Sequence, residues 1–111
     1  MRYHEKIAYK ILKEKGWSPK RPVIAIAVND GIGMRKNPKY TIGTPDFECS
    51  ENRYVEVKFQ PYDGKASVYI HQLEVWNDLC GDNKEVYLMI IDKNLKYKFV
   101  RVNIELNKVD L

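Results

Sequence analysis

Two short, unbroken apolar runs, Val23 to Val28 and Val86 to Ile91, constrain this chain more than any other feature. Both are far too short to span a bilayer, and the N-terminus lacks the apolar stretch of a signal peptide. They are therefore expected in the interior of a soluble, cytoplasmic protein. The first run is β-branched and alanine-rich with no polar residue, the pattern of a strand covered on both faces. A chain of 111 residues makes about one ordinary domain around such strands. Its 44% hydrophobic and 31% charged residues are the balance of a folded chain, not a disordered one.

The elements around these runs read in sequence. From Tyr3 to about Lys15, apolar residues recur at Tyr3, Ile7, Ala8, Ile11 and Leu12, the spacing of one buried helical face. Gly16 supplies a stop, and Pro19 and Pro22 bar continuation. Asn29, Asp30 and Gly31 end the first run. Thr44 to Cys49 reads as a short strand, with a Glu51-Asn52 turn before the strand Arg53 to Phe59. These three strands are expected to form an antiparallel meander. A loop around Pro61 to Gly64 leads to a helix over about Ser67 to Cys80, with Tyr69, Leu73, Trp76 and Cys80 on one face and Gly81 as its stop. Val86 to Ile91 and Tyr97 to Val102 follow as strands joined by a turn at Asp92 to Asn94. Residues 1–111 thus read as a single α/β (α+β) domain: helix, three-strand meander, helix, two strands. Cys49 and Cys80 form neither a disulfide framework nor a zinc cluster and are expected as buried thiols.

Nineteen Lys and Arg against fifteen Asp and Glu give a formal charge of +4, which suits an anionic partner without requiring one. Arg35, Lys36 and Lys39 cluster between Gly31 and Gly43, where a loop could reach a phosphate backbone. On charge alone, a solvated loop is the favoured reading, and only the motif described below points to DNA contact.

The chemistry-bearing stretch is Pro45-Asp46, nine residues, then Glu56-Val57-Lys58. Alternate residues of a strand share a face, so Glu56 and Lys58 project with Tyr54 while Val55, Val57 and Phe59 project into a core. Asp46 lies opposite Phe47 and Cys49. If the Asn52 turn pairs the two strands, both carboxylates and the ammonium converge on one side of a sheet. Such an oxygen donor set suits Mg²⁺. A metal held there could serve phosphodiester hydrolysis, with Lys58 positioning the attacking water or stabilising negative charge. The plain alternative makes Glu56 and Lys58 solvent-facing residues of a half-exposed strand, and Pro45-Asp46 part of a turn.

These residues resemble the PD-(D/E)XK nuclease superfamily, whose motif falls on Pro45-Asp46 and Glu56-Val57-Lys58. The resemblance extends to the element order and implies a restriction-endonuclease-like core with a mixed central sheet. It implies a Mg²⁺ site, with Mn²⁺ as a substitute, held by Asp46, Glu56, Val57 and Glu5. Glu5 is similar to the helix glutamate of archaeal Holliday junction resolvases. On a helical wheel it falls at the edge of the apolar face, where it could point to the sheet or to solvent. His4 reads as a packed or capping residue. Gln72 followed by Trp76 resembles the glutamine-x-x-x-aromatic pattern of the superfamily's second helix. A glutamine on that face needs a partner, which a water, a DNA phosphate or a backbone carbonyl could provide. The stretch Gly43 to Phe47 looks like the virus-type replication-repair nuclease branch. Both branches imply an endonuclease acting on branched or junction DNA in replication, repair or recombination, working as a homodimer. The alternatives are a nucleic-acid-binding module without catalysis, since fold alone guarantees no activity, and a nuclease subunit that needs a partner.

Overall fold

A computed structural model of the chain describes residues 2–22, 27–29, 34–36, 43–60, 68, 70–103 and 108–109. Helix α1 spans Tyr3–Glu14, β1 Ala27–Asn29, β2 Met34–Lys36, β3 Phe47–Cys49 and β4 Arg53–Gln60. Helix α2 spans Ile70–Gly81, followed by β5 Glu85–Asp92, β6 Tyr97–Asn103 and β7 Lys108–Val109. The fold is a small α+β arrangement on a mixed sheet ordered β3-β4-β5-β6, which the two-residue β7 extends. Strands β4 and β5 run parallel, in register from Arg53↔Glu85 to Gln60↔Asp92; the other neighbours are antiparallel. A parallel pair needs a crossover, and α2 is that crossover.

Each face of the sheet carries one helix. On one side Ala8 and Leu12 of α1 pack with Phe47, Cys49, Val55, Met89 and Ile91. On the other, Trp76 of α2 packs with Val86, Leu88, Ile90, Val100 and Val102. Strand β5 supplies alternate residues to both clusters, which explains why Val86 to Ile91 carries no charge. The apolar spacing of α1 faces inward as its sequence requires. The helix then closes on Gly16, whose φ of +79° is the left-handed conformation that glycine adopts freely. The Gly16 N–H donates to the Lys13 carbonyl and the Trp17 N–H to that of Leu12, both at 3.0 Å, satisfying carbonyls the helix end would otherwise leave unpaired. Trp17 is thereby turned onto Tyr87 and Phe99, with the Arg53 guanidinium 4.0 Å over its ring.

Several expectations need correction. The first apolar run does not lead a three-strand meander in the described residues. Ala27–Asn29 pairs instead with Met34–Lys36 in a separate two-stranded ribbon, and Val23 to Ile26 lie outside the described residues. The outer edge of β3 is taken by Lys20, whose backbone exchanges hydrogen bonds of 2.8 and 2.9 Å with Glu48. The Gly31 to Gly43 stretch is a strand in part, not a loop throughout. Ser67 and Tyr69, expected in the second helix, lie outside the described residues. Cys49 is buried as expected, but Cys80 is only partly so. Phe59 is 44% exposed, because β4 runs on past the end of β3 and beyond the cover of Ala8 and Leu12. Among the described residues, no helix is long and apolar enough to cross a membrane.

The segment entering β3 is pinned against α2 at Gly43. A Cβ there would run into the His71 carbonyl oxygen and lie 2.7 Å from Val75 Cγ2. A helix backbone does not yield as a flexible side chain does, so Gly43→Ala should lower stability by about 1–3 kcal/mol. Urea unfolding checks this; a midpoint equal to that of the parent would mean that the segment does not lie against the helix.

Candidate functional site

The site forms where β3 ends and β4 continues. Cys49↔Arg53 closes the hairpin, with Glu51 and Asn52 at φ of 60° and 59°, and Phe47↔Val55 is its last paired position. One step further, the Asp46 side chain takes over from the ladder: its Oδ2 accepts the Val57 N–H at 2.8 Å. This bond satisfies a donor that a backbone carbonyl would otherwise meet. It also fixes the Asp46 carboxyl beside Glu56, on the face the strand period assigns to both. Pro45, fully buried, holds the turn into this position.

Glu56 lies beneath α2 and is only 5% exposed. Its Oε2 accepts a short hydrogen bond from Nε2 of Gln72, which is itself buried. The Gln72 Oε1 accepts from Lys58 Nζ at 3.0 Å, and Lys58 Nζ stands 3.9 Å from Glu56 Oε2. One amide thus spans the carboxyl and the ammonium, and the β4 pair cannot turn independently of α2. Among the partners that Gln72 requires are these two side chains. Burial pushes the Glu56 carboxyl up to about 9, and a hydrogen bond to Asp46 together with its negative charge adds to the rise. Lys58 opposes it, and Glu5 adds to it from further away.

Glu5 is near the site without joining it. Its Oε2 accepts the Arg2 N–H at 3.1 Å, half of a capping arrangement at the start of α1, and the Arg21 guanidinium at 3.3 Å. Its carboxylate is thus engaged by two arginines rather than free in solvent, while its charge still reaches Glu56. Arg21 had no signature in the sequence, since it lies between two prolines in an irregular segment. His4 is a packed residue, its ring stacked on Phe59 at 3.8 Å. The expected phosphate contacts Arg35 and Lys36 fall in β2, where the backbone alone is described, and Lys39 lies outside the described residues.

A divalent cation fits the donor set in part. Two carboxyls in hydrogen-bonding reach of each other, one buried, cannot both ionise cheaply in a region of low dielectric. A cation between them would favour both ionised forms. Val57 could add only its carbonyl oxygen. Among the described residues, no three His, Cys, Asp or Glu side chains form a cage of their own. Magnesium retains several waters and commonly uses one or two carboxylates, so Asp46 and Glu56 meet its needs better than those of zinc. No protein-family model matches the chain, and no curated protein resembles it closely enough to count as a relative.

The protonated Glu56 has a consequence for stability. Between its ordinary value of 4.5 and about 9, the unfolded chain has released this proton while the folded chain keeps it. The unfolded state then binds fewer protons, so this group makes stability fall as pH rises through that window. Glu56→Gln keeps the shape and removes the titration. Without divalent ions, the variant should be more stable than the parent at pH 8, with the gap narrowing towards pH 4. Urea unfolding across that range reads the effect, and a gap independent of pH would show that Glu56 is ionised in the folded chain.

Proposed function

We propose that this chain is a Mg²⁺-dependent endodeoxyribonuclease of the PD-(D/E)XK type, hydrolysing phosphodiester bonds in branched or junction DNA. The observation that carries the reading is the convergence of Asp46, Glu56, Lys58 and Gln72 at one point of the sheet. All four are among the residues on which the motif resemblance falls, drawn from β4, α2 and the approach to β3. Asp46, Glu56 and the Val57 carbonyl would hold the cation, which when bound supplies positive charge against the scissile phosphate.

The chain's own residues do the rest. Gln72 fixes the Lys58 ammonium, so that it can orient the attacking water and face the negative charge that develops on the phosphate oxygens. It also sets the rotation of the Glu56 carboxyl, and the cover of α2 keeps bulk water from screening these interactions. A four-way junction needs two related cuts, which a two-fold homodimer supplies. Leu95 and Tyr97, exposed at the start of β6, offer apolar surface for such a contact. A non-catalytic nucleic-acid-binding role is the second reading. It is favoured by the engagement of Glu5 with Arg21, an ion pair that a metal ligand would have to give up.

Purified protein with labelled duplex, flap and four-way-junction DNA, with and without Mg²⁺, separates the two readings. Asp46→Asn should abolish cleavage with folding retained, and Lys58→Ala should lower kcat by roughly a hundredfold or more, with a smaller change in KM. Mg²⁺-dependent cleavage persisting in Asp46→Asn would refute the site. Replacing Arg35, Lys36 and Lys39 together should reduce the slope of log affinity against log salt by about two to three. An unchanged slope would remove that segment from the DNA contact.

A further inference from the structure

Beside the site, two aromatic rings sit exposed at the surface, where a folded chain gains little by placing them, with a third, partly buried, between them. Phe59 follows Lys58 on β4 and is 44% exposed, and Tyr3, at the first position of α1, is 64% exposed. The His4 ring joins them, stacked on Phe59 at 3.8 Å and edge-on to Tyr3 at 5.3 Å. This cluster is tied to the site through β4, where Phe59 directly follows Lys58. From it a line of positive charge runs along the outer face of α1. Lys6, Lys10 and Lys13 are all exposed, at spacings that keep them on one side of the helix.

An aromatic surface at the end of a basic track is the combination that holds single-stranded nucleic acid: cations follow the phosphates while bases stack on rings. A duplex offers its phosphates to such a track but keeps its bases inside. The rings are therefore surplus for duplex binding and useful only where a base is unpaired. We propose that Tyr3, His4 and Phe59 form a stacking platform for an unpaired nucleobase, with the phosphates of that single-stranded segment running along Lys6, Lys10 and Lys13. The inference rests on the DNA-cleaving reading above for the identity of the polymer, and it narrows the substrate to DNA with an unpaired segment at the cut, such as a flap or a frayed junction arm.

Affinity for a short fluorescein-labelled oligothymidylate and for a blunt duplex of equal length, measured in EDTA so that nothing is cleaved, tests the platform. Phe59→Ala should lower the ratio of single-strand to duplex affinity by on the order of tenfold, and Phe59→Trp should restore it. A 2-aminopurine base in the single strand should be quenched on binding the parent and not on binding Phe59→Ala. Replacing Lys6, Lys10 and Lys13 by glutamine should reduce the salt slope for the single strand by about two. Circular dichroism confirms that each variant is folded. An unchanged affinity ratio with quenching retained in Phe59→Ala overturns the proposal. So does a monomer–dimer equilibrium that Phe59→Ala abolishes while the ratio stays constant, which would assign the rings to a second copy of the chain. Flap cleavage by the parent protein is scored separately. Its absence alongside a tenfold ratio change defeats the nuclease reading and leaves the platform, whereas its presence with a constant ratio defeats only the platform.

Discussion

The hydrogen bond from the Val57 N–H to Asp46 is where the fold turns into a site. It lies one residue beyond the last paired position of the β3–β4 hairpin. At that point a ladder either continues, ends in solvent or is capped by a side chain. Here the cap is a carboxylate, so satisfying the backbone places a charge beside the one buried carboxyl of β4. Everything polar in the vicinity follows from that choice. Glu56 must share or keep a proton, Gln72 must supply an amide, and Lys58 is drawn in by the negative potential. Removing one of these groups takes a hydrogen-bond partner from another, and where that partner is buried, as Glu56 and Gln72 are, the loss is more damaging than at the surface.

Much of this was legible before any coordinates. The period of α1, its stop at Gly16, the Glu51-Asn52 turn and the β4 alternation are local patterns, and the chain adopts them as written. So is the charge-free run of β5, which lies between two strands and beneath two helices. Asp46, Glu56 and Lys58 were placed together by the strand period and one turn, and they do come together. What could not be read was non-local. Periodicity shows which face of a strand is buried but not which strand is its neighbour, so Val23 to Val28 reads as part of a meander whose outer position Lys20 in fact occupies. The exposure of Phe59 depends on where α1 stops covering the sheet. The engagement of Glu5 depends on Arg21, sixteen residues away in a segment without periodicity. A glutamine on an apolar helix face, as Gln72 is, needs a partner, yet the identity of that partner is a matter of tertiary packing.

The division of labour between the helices follows from the parallel β4–β5 pair. The connectivity requires a crossover between the strand that carries Glu56 and its parallel neighbour, and α2, as that crossover, packs on the face to which Glu56 points. Its contribution of Gln72 follows from that placement. Helix α1 covers the opposite face and reaches the site only at its first turn, where Tyr3, His4 and Glu5 lie. One helix is therefore committed to the interior of the site and the other to its rim.

The backbone bridge between Lys20 and Glu48 bears on how copies of this chain can meet. Strand β3 is three residues long, follows a buried proline at Pro45, and has its outer side engaged at its middle residue by a segment that begins with another buried proline, Pro19. An edge so short and so flanked offers almost no free ladder to a foreign strand, which guards against sheet-to-sheet aggregation. It also means that a second protomer cannot extend the sheet through this side. A symmetric partner that avoids this edge would have to dock through side chains or at the opposite end of the sheet, away from the edge that carries Asp46.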